Sequence, residues 1–281
     1  YSIVWFENPR GNGGNPQTDT WNQHLIGAGY GEDSLVAADL DGDGKIDIIT
    51  SAYIYFQNSL SSWTRVQYNT SFRGVALLDI GSGKGKINLV GTSQMWPYNA
   101  VWFENPREAG GNARTGQWNP HSIGATYPCS SCSDHATSVF NTADFNGDGK
   151  MDVVMGQSEG SPDTPPPPGG LIWFEAPSDR RNGTWISHTI DYDFVDAHAV
   201  QVGDVDKNGT LDLVTSEQDQ SPLRRVSVFF NDGAGNFTQQ ILSNVEGHNT
   251  VISDIRHTGF LDILNSGHGY FGAYHPLQIF T

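Results

Sequence analysis

Three stretches of this sequence place oxygen-bearing side chains at positions 1, 3, 5 and 9 of a short loop that contains glycine. They read DLDGDGKID at 39–47, DFNGDGKMD at 144–152 and DVDKNGTLD at 204–212. Glycine at position 4 or 6 permits the sharp turn that such a loop requires. Ca²⁺ is bound by about six to eight hard oxygens, so a loop with oxygens at positions 1, 3, 5, 7 and 9 can surround one ion. The pattern therefore predicts one Ca²⁺ site per stretch, with position 7 contributing its backbone carbonyl.

The expected metal ligands are listed loop by loop. They are Asp39, Asp41, Asp43, Lys45 and Asp47; Asp144, Asn146, Asp148, Lys150 and Asp152; and Asp204, Asp206, Asn208, Thr210 and Asp212. A helix–loop–helix calcium sensor would place Glu at position 12, where this chain has Thr50, Met155 and Thr215. The loops therefore favour a structural role for Ca²⁺, with direct participation in ligand binding as the alternative.

The Asp loops belong to a repeated unit. The phrase VWFEN recurs at 4–8 and 101–105, and related phrases stand at 53–59, 171–177, 226–232 and 277–281. Each copy except the last, at 277–281, is followed by a phrase such as WNQHLI at 21–26, and then by an apolar stretch that enters an Asp loop or its degenerate counterpart. These are short β-strands separated by Gly, Asn, Asp and Pro turns, and no helical periodicity interrupts them. Four-stranded units repeated at this spacing predict one all-β domain over 1–281, a β-propeller.

The strand count bears on the number of blades. With the strand before the Asp loop called A and the following strands B, C and D, the sequence contains five A, five B, six C and five D strands. We expect a six-bladed propeller with an incomplete first blade, whose missing D, A and B strands would precede Tyr1. The alternative is a five-bladed ring with one surplus strand C.

The Asp loop and the VWFENP strand together resemble the FG-GAP/VCBS class of propeller repeats. Such repeats occur in α-integrin heads, in fungal and bacterial sugar-binding propellers and in propeller domains of carbohydrate-active lyases. The resemblance covers essentially the whole chain and implies the propeller fold and the Ca²⁺ loops. Two further copies, DIGSGKGKIN at 79–88 and DIRHTGFLD at 254–262, have lost the acidic pattern, and we expect no ion there.

Composition limits the classes of partner and the location. A formal charge of −16 argues against nucleic acid, because the phosphate backbone would be repelled. No apolar run is long enough to span a membrane, and the acidic composition is typical of secreted proteins. Cys129 and Cys132 form a C-x-x-C pair, which we interpret as a small disulfide loop, with a redox motif and half a zinc site as alternatives.

The loops opposite the Asp loops are the expected ligand site. Propeller topology places A–B and C–D loops at one mouth of the channel and B–C and D–A loops at the other. Aligned copies put titratable side chains at that second mouth, where loops carry function more often than the scaffold does. The candidate ligand-binding residues are Asp33, Arg73, Trp96, His135, His198, Glu217, His248, His268 and Tyr270.

Three functions fit this pattern. The first is a secreted, calcium-stabilised, lectin-like propeller that binds a carbohydrate or glycoconjugate through aromatic and polar side chains. The second is a polysaccharide lyase, in which His198 or His248 would act as base or acid and Arg73 would neutralise a uronate carboxylate. The third is a protein–protein adhesion propeller.

Overall fold

The structure is a computed structural model that describes residues 2–29, 34–67, 72–81, 83, 85–93, 99–125, 137–158, 170–218, 221–267 and 277–281. Its strands are β1 Ser2–Glu7, β2 Asn22–Ala28, β3 Leu35–Ala38, β4 Asp47–Thr50, β5 Tyr53–Ser59, β6 Ser62–Gln67, β7 Phe72–Leu78, β8 Asn88–Ser93, β9 Asn99–Glu104, β10 Asn119–Ala125, β11 Thr137–Ala143, β12 Asp152–Ser158, β13 Leu171–Glu175, β14 Ile186–Asp191, β15 Ala197–Gly203, β16 Asp212–Glu217, β17 Val226–Asn231, β18 Phe237–Ser243, β19 Asn249–Ser253, β20 Asp262–Ser266 and β21 Gln278–Phe280. Two short 3₁₀ helices, Pro9–Asn12 and Pro106–Ala109, complete the described secondary structure.

These strands form antiparallel sheets whose order follows the chain. Blades one to four are β3–β6, β7–β10, β11–β14 and β15–β18, and blade five is the three-stranded sheet β19–β21. A sixth sheet contains only β1 and β2. The predicted all-β propeller of four-stranded blades is confirmed. Five sheets contain an A–B hairpin, as the five-bladed alternative requires, and the described residues do not complete the six-bladed ring that the strand count favours.

The A strands of neighbouring blades contact each other along the series β3, β7, β11, β15 and β19, so they surround the centre of the propeller. Apolar cores lie between adjacent blades, because each of blades one to four packs both faces of its sheet against neighbouring sheets. Between blades two and three, for example, Trp102 packs with Phe174 and Trp185, all at most 5% exposed. Such cores follow from strands that are apolar on both faces rather than alternating.

One buried polar residue begins strand B of every blade, and in blades one, three and four it joins the A–B loop to the end of strand C. In blade three the carboxylate of Asp152 accepts a hydrogen bond from the backbone N–H of Phe145 (3.0 Å) and another from that of Ala176 (2.8 Å). We call the residue at this position the bridging residue. The bridging residues are Asp47, Asn88, Asp152, Asp212 and Asp262, and all are fully buried.

The bridge has three chemical forms. Asp47 and Asp212 accept two backbone N–H bonds in the same way as Asp152. Asn88 accepts only the bond from the N–H of Asn105, at 2.8 Å. Asp262 accepts from the loop N–H of Ile255 and also from the guanidinium of Arg256. The link from strand B to the loop or to strand C is therefore kept where the acidic pattern of the loop is lost.

A second repeated contact holds strand C to strand D. Trp102 and His121 are stacked with ring centroids 4.3 Å apart, and His121 Nε2 lies 3.0 Å from Glu104 Oε2. The same Trp–His–Glu arrangement recurs twice, as Trp5, His24 and Glu7 and as Trp173, His188 and Glu175. Its signal was present in the sequence as the W-x-E of strand C and the His of strand D.

Glu104 also joins blade two to blade three. Arg181, from the C–D loop of blade three, donates to Glu104 Oε1 through Nε at 2.8 Å. This hydrogen bond from Arg181 is the main reason why the pKa of Glu104 is lowered, and it outweighs the opposing effect of burial. Because its pKa is lowered in the folded state, Glu104 stabilises the fold only while its carboxyl group is ionised. This contribution to stability is present above the ordinary carboxyl pKa of 4.5 and is lost as the pH falls below that value.

Removal of a bridging carboxylate should destabilise the blade without any contribution from metal. In EDTA, Asp152→Ala leaves two buried N–H groups without their acceptor, and we expect a loss of about 2–4 kcal/mol in the free energy of unfolding in urea. The control is Asp148→Ala, an exposed residue of the same loop. Equal losses for the two variants in EDTA would contradict the structural role of the bridge.

The Glu104–Arg181 contact predicts a pH-dependent effect. Glu104→Gln should lower the free energy of unfolding by about 1 kcal/mol at pH 7, since Arg181 is partly exposed and loses a charged acceptor. The difference from the unmodified chain should narrow as the pH falls below 4.5, the ordinary pKa of this carboxyl group. Glu175→Gln, the matched position whose carboxylate contacts His188 but makes no hydrogen bond to an arginine in the described part of the chain, should show a smaller effect at pH 7. A loss that is the same at every pH would be inconsistent with the ionic contact.

Candidate functional site

The Asp loop of blade one gathers three carboxylates. Oxygen atoms of Asp39, Asp41 and Asp43 all lie within 4.8 Å of one another, which is close enough for one cation to contact all three. Asp39 also accepts hydrogen bonds from the N–H groups of Gly42 and Gly44, at 2.7 and 2.9 Å, and these bonds close the loop. The arrangement therefore provides a set of hard oxygen donors of the kind that Ca²⁺ prefers.

Basic groups already contact these carboxylates. Lys45 Nζ lies 2.6 Å from Asp43 Oδ2, and the guanidinium of Arg114 donates to Asp41 and, at 3.3 Å, to Asp43. Arg114 comes from the C–D loop of blade two and also stacks over the ring of Phe56. The repeat pattern gave no signal for Arg114, because the C–D loops differ in length and sequence.

The other two acidic loops have related geometry. In blade four, oxygens of Asp204, Asp206 and Asp212 lie within 4.8 Å of one another. In blade three, Asp144 accepts from the N–H groups of Asp148 and Gly149, at 3.0 and 2.8 Å. At the predicted position 7 in all three loops, the N–H of Lys45, Lys150 and Thr210 donates to the side chain of position 5.

The predicted ligands at position 9 are the bridging residues of their blades. Burial raises the pKa of Asp47 and of Asp152 to about 6, and their hydrogen bonds from backbone N–H groups only partly offset this. Burial also raises the pKa of Asp212. Both oxygens of each carboxylate already accept backbone bonds, so position 9 has a structural function whether or not it also binds an ion.

The two loops without the acidic pattern differ from these three. In blade five, Arg256 Nε donates to Asp262 Oδ1 at 2.9 Å, so a guanidinium lies beside the bridging carboxylate. In blade two, Asp79 accepts from the N–H of Gly81 at 2.8 Å. A cavity of about 510 Å³ lies between the loops of blades one and two, and its lining includes Asp39 and Asp79.

At the opposite mouth, two of the predicted ligand-binding residues meet. The imidazole rings of His198 and His248 have centroids 4.0 Å apart and planes inclined by 32°. His198 lies at the start of strand A in blade four, and His248 precedes strand A of blade five, so adjacent blades bring them together. Both are half-buried, and Asn249 Nδ2 lies 3.0 Å from His248 Nδ1.

Glu217, predicted as a ligand-binding residue, lies in a buried ion pair with Arg225. The guanidinium donates to Glu217 Oε2 through Nε at 3.0 Å and to Oε1 through Nη2 at 2.7 Å. The backbone N–H of Val195 also donates to Oε1, at 3.0 Å. Because Glu217 is 0% exposed and both its oxygens are engaged, its surroundings favour a positioning function. Sequence reasoning missed Arg225, which belongs to the B–C loop of blade four, whose sequence is not repeated in the other blades.

The backbone just before His198 has an unusual conformation. Asp196 is buried and has a positive φ of 56°, which is uncommon for a residue other than glycine. Its carbonyl accepts the N–H of Gln218 at 3.0 Å, while the carbonyl of Glu217 accepts the N–H of Gly247 at 2.8 Å. The loops before both histidines are thus attached to the end of strand B of blade four, next to the buried ion pair.

The remaining predicted site residues are not described with side chains. Asp33, Trp96, His135, His268 and Tyr270, together with Cys129 and Cys132, lie outside the described residues. Arg73 lies on β7 opposite Thr92, but its side chain is outside the description. Among the predicted ligand-binding residues, the structure therefore places His198, His248 and Glu217 at one mouth.

In the described part of the chain, no helix has the length and apolar character needed to cross a membrane.

One solved structure, of an Agrocybe aegerita lectin described as specifically recognising non-reducing terminal N-acetylglucosamine, aligns at 19% identity with a TM-score of 0.47. The alignment covers 74% of this chain and 51% of the lectin chain, so this chain spans about half the length of the lectin that it matches. At this level of similarity the ligand of the lectin does not transfer to this chain. No curated protein sequence matches the chain.

A family model gives the more specific result. Residues 144–215 match the model described as FG-GAP-like repeat. The matched segment runs from the acidic loop of blade three, through strands B, C and D, to strand B of blade four. Residues 144–215 thus carry an FG-GAP-like repeat within a chain that folds as a β-propeller.

Proposed function

We propose that this chain is a secreted, calcium-stabilised, lectin-like β-propeller that binds a carbohydrate at the mouth opposite the Asp loops. The observation that carries the proposal is the contact between His198 and His248, whose rings come from two blades and remain partly exposed at that mouth. Imidazole nitrogens and the Asn249 amide can donate to and accept from sugar hydroxyls. The buried Glu217–Arg225 pair lies next to the loops that precede the two histidines and supports a preorganised site.

Calcium is proposed as a structural component at the other mouth. The oxygen clusters of blades one and four fit a hard divalent ion, and the blade-three loop repeats their sequence. The Asp loops and the histidine pair lie at opposite ends of the A strands, which separates the proposed metal function from ligand contact. Secretion is supported by the acidic composition and by the spacing of Cys129 and Cys132.

Ca²⁺ should raise thermal stability in a loop-specific way. An ion that binds only the folded chain stabilises it by about 2.7 kcal/mol per site at a hundredfold excess over Kd. We expect the Tm to rise with added Ca²⁺ and to fall in EDTA, and we expect Asp206→Asn to remove one ion from the calorimetric stoichiometry. Asp254→Asn in blade five is the matched control and should leave the stoichiometry unchanged. A Tm that is identical in Ca²⁺ and EDTA would reject the proposal.

A lyase is the second candidate, and the histidine pair is the observation that favours it. An imidazole held against a second imidazole can accept or donate a proton in the neutral pH range. β-Elimination on a uronic acid polysaccharide would also require a group that neutralises the carboxylate, which the sequence analysis assigned to Arg73. The two candidates share residues but differ in whether the ligand is consumed.

Binding and turnover can be separated with the same variants. A glycan array should show sugar binding by the unmodified chain and at least about tenfold weaker binding by His198→Ala and His248→Ala. His257→Ala, an exposed histidine in the A–B loop of blade five, is the control and should bind normally. Absorbance at about 235 nm, where the unsaturated product of elimination would absorb, should not increase with uronic acid polysaccharides. An increase that His198→Ala abolishes would replace the lectin with the lyase, and no binding on the array would refute the sugar site.

A further inference from the structure

Arg114 reaches the Asp loop of blade one from a different blade. It lies in the C–D loop of blade two, and its guanidinium donates through Nε to Asp41 and through Nη2 to Asp43, the latter at 3.3 Å. Both carboxylates are expected Ca²⁺ ligands of the blade-one loop. A positive group from blade two therefore already contacts the oxygens that an ion in this loop would need.

The rest of the guanidinium is engaged as well. Nη1 donates to Asn58 Oδ1 at 2.6 Å, Nη2 donates to the carbonyl of Gln57 at 3.2 Å, and the guanidinium carbon lies 5.1 Å from the centre of the Phe56 ring. The planar fork of an arginine suits such a set of acceptors, because its donors have a fixed geometry. With only 23% of its side chain exposed, Arg114 differs from the partner in an isolated surface ion pair.

The core between blades one and two fixes the loop that carries Arg114. Ala113 and Trp118 belong to that core and are 1% and 6% exposed. Trp118 Nε1 donates to the carbonyl of Ala113 at 3.1 Å, and the N–H of Arg114 donates to the side chain of Asn112 at 2.8 Å. The backbone on both sides of Arg114 is therefore held in place, and its contact with blade one is part of the packing of the two blades.

Blades three and four meet in the same way but without this cation. Asn105 Nδ2 donates to the carbonyl of Leu40 at 2.9 Å, and Asn231 Nδ2 donates to the carbonyl of Phe145 at 2.8 Å. In both pairs of blades, the end of strand C thus lies beside the Asp loop of the preceding blade. The C–D loop of blade four reads NDGAGN at 231–236 and contains no Lys or Arg.

The acidic loops of blades three and four present less positive charge to their carboxylates. Lys45 and Lys150 contact the position-5 carboxylate in blades one and three alike, so Arg114 is the additional cation in blade one. In blade four, Asp204 Oδ1 is buried and accepts no hydrogen bond within the described part of the chain. A buried carboxylate oxygen without a donor is one that a cation can satisfy.

We propose that Arg114 is an intramolecular competitor of Ca²⁺, which makes the blade-one loop the weakest of the three ion sites. The inference rests on the proposed function, since it requires that the acidic loops bind Ca²⁺. An ion in this loop and the guanidinium would need the same oxygens of Asp41 and Asp43, and two cations so close repel each other. The apparent affinity for Ca²⁺ is therefore reduced to the fraction of chains in which Arg114 has left the loop.

The competition also links the ion to the junction of two blades. Departure of Arg114 from the carboxylates would release its contacts with Asn58 and Gln57, which belong to strand C of blade one. Occupancy of the blade-one loop and the contact between blades one and two therefore oppose each other, and the linkage is reciprocal.

Calorimetric titration with CaCl₂ tests the order of the sites. The unmodified chain should show one site weaker than the others, and Asp41→Asn should remove that site. Arg114→Gln should tighten the weakest site by about tenfold and leave the others unchanged. Arg65→Gln is the matched control, because it removes the same charge from an exposed residue of blade one whose guanidinium lies over the ring of Tyr53. It should leave every affinity unchanged.

Thermal unfolding gives a second readout. In EDTA, Arg114→Gln should have a lower Tm than Arg65→Gln, because Asp41 and Asp43 lose the guanidinium that faces them. In saturating Ca²⁺ this difference should disappear, since the ion then replaces the guanidinium. Asn58→Ala covers the case in which Arg114→Gln does not fold, because it keeps the charge and removes one acceptor of the guanidinium. It should tighten the weakest site by a smaller factor.

The failure of this inference can be told apart from the failure of the proposed function. If the loops bind Ca²⁺ but neither Arg114→Gln nor Asn58→Ala tightens the weakest site, the competition is overturned and the structural role of Ca²⁺ stands. A loss of Tm for Arg114→Gln that is the same in EDTA and in Ca²⁺ also overturns the competition. If the unmodified chain and every variant fail to bind Ca²⁺, the proposed calcium function is wrong and the inference fails with it.

Discussion

A buried bridging residue with its hydrogen bonds to backbone N–H groups is the interaction on which the blades depend. In blades one, three and four its carboxylate is hydrogen-bonded both to the A–B loop and to the end of strand C. These bonds fix the position of the A–B turn relative to the start of the C–D loop. The arrangement has a cost, since burial raises the pKa of Asp47 and Asp152 to about 6. The hydrogen bonds offset part of that cost and give an acceptor to the N–H groups that the carboxylate contacts.

The bridge also explains why the five loops differ in acidity without a change of fold. Blade two has an amide at the bridging position, and blade five places Arg256 beside Asp262, which lowers the pKa of that carboxyl group. Both blades keep their A–B hairpin. The proposed Ca²⁺ ions would therefore reinforce three loops whose geometry the backbone already sets. The scaffold is similar from blade to blade, and the mouth that holds His198 and His248 is where the loops diverge.

Much of the fold could be predicted from the sequence, because each type of strand has a recurrent sequence phrase and each repeat contains one Asp loop or a degenerate copy of it. The meeting of His198 and His248 followed from the same alignment, since both lie six residues before a loop Asp. The partner of Glu217 could not be predicted, because Arg225 lies in an irregular loop and periodicity carries no information there. Spacing assigned Asp152 to an ion, but it could not show that backbone N–H groups already occupy both carboxylate oxygens. The blade count was also beyond the pattern, because counting strands does not reveal which sheet edges are paired.

Hydrogen exchange at the bridged amides tests the central claim most directly. The amides of Phe145 and Ala176 both donate to Asp152. If the bridging residue fixes the blade independently of metal, both amides should exchange slowly in EDTA, and added Ca²⁺ should slow them only modestly, while amides of the exposed loop remain fast. Rapid exchange of both amides in EDTA, with protection appearing only when Ca²⁺ is added, would show that the ion holds the loop to strand C and would contradict the account.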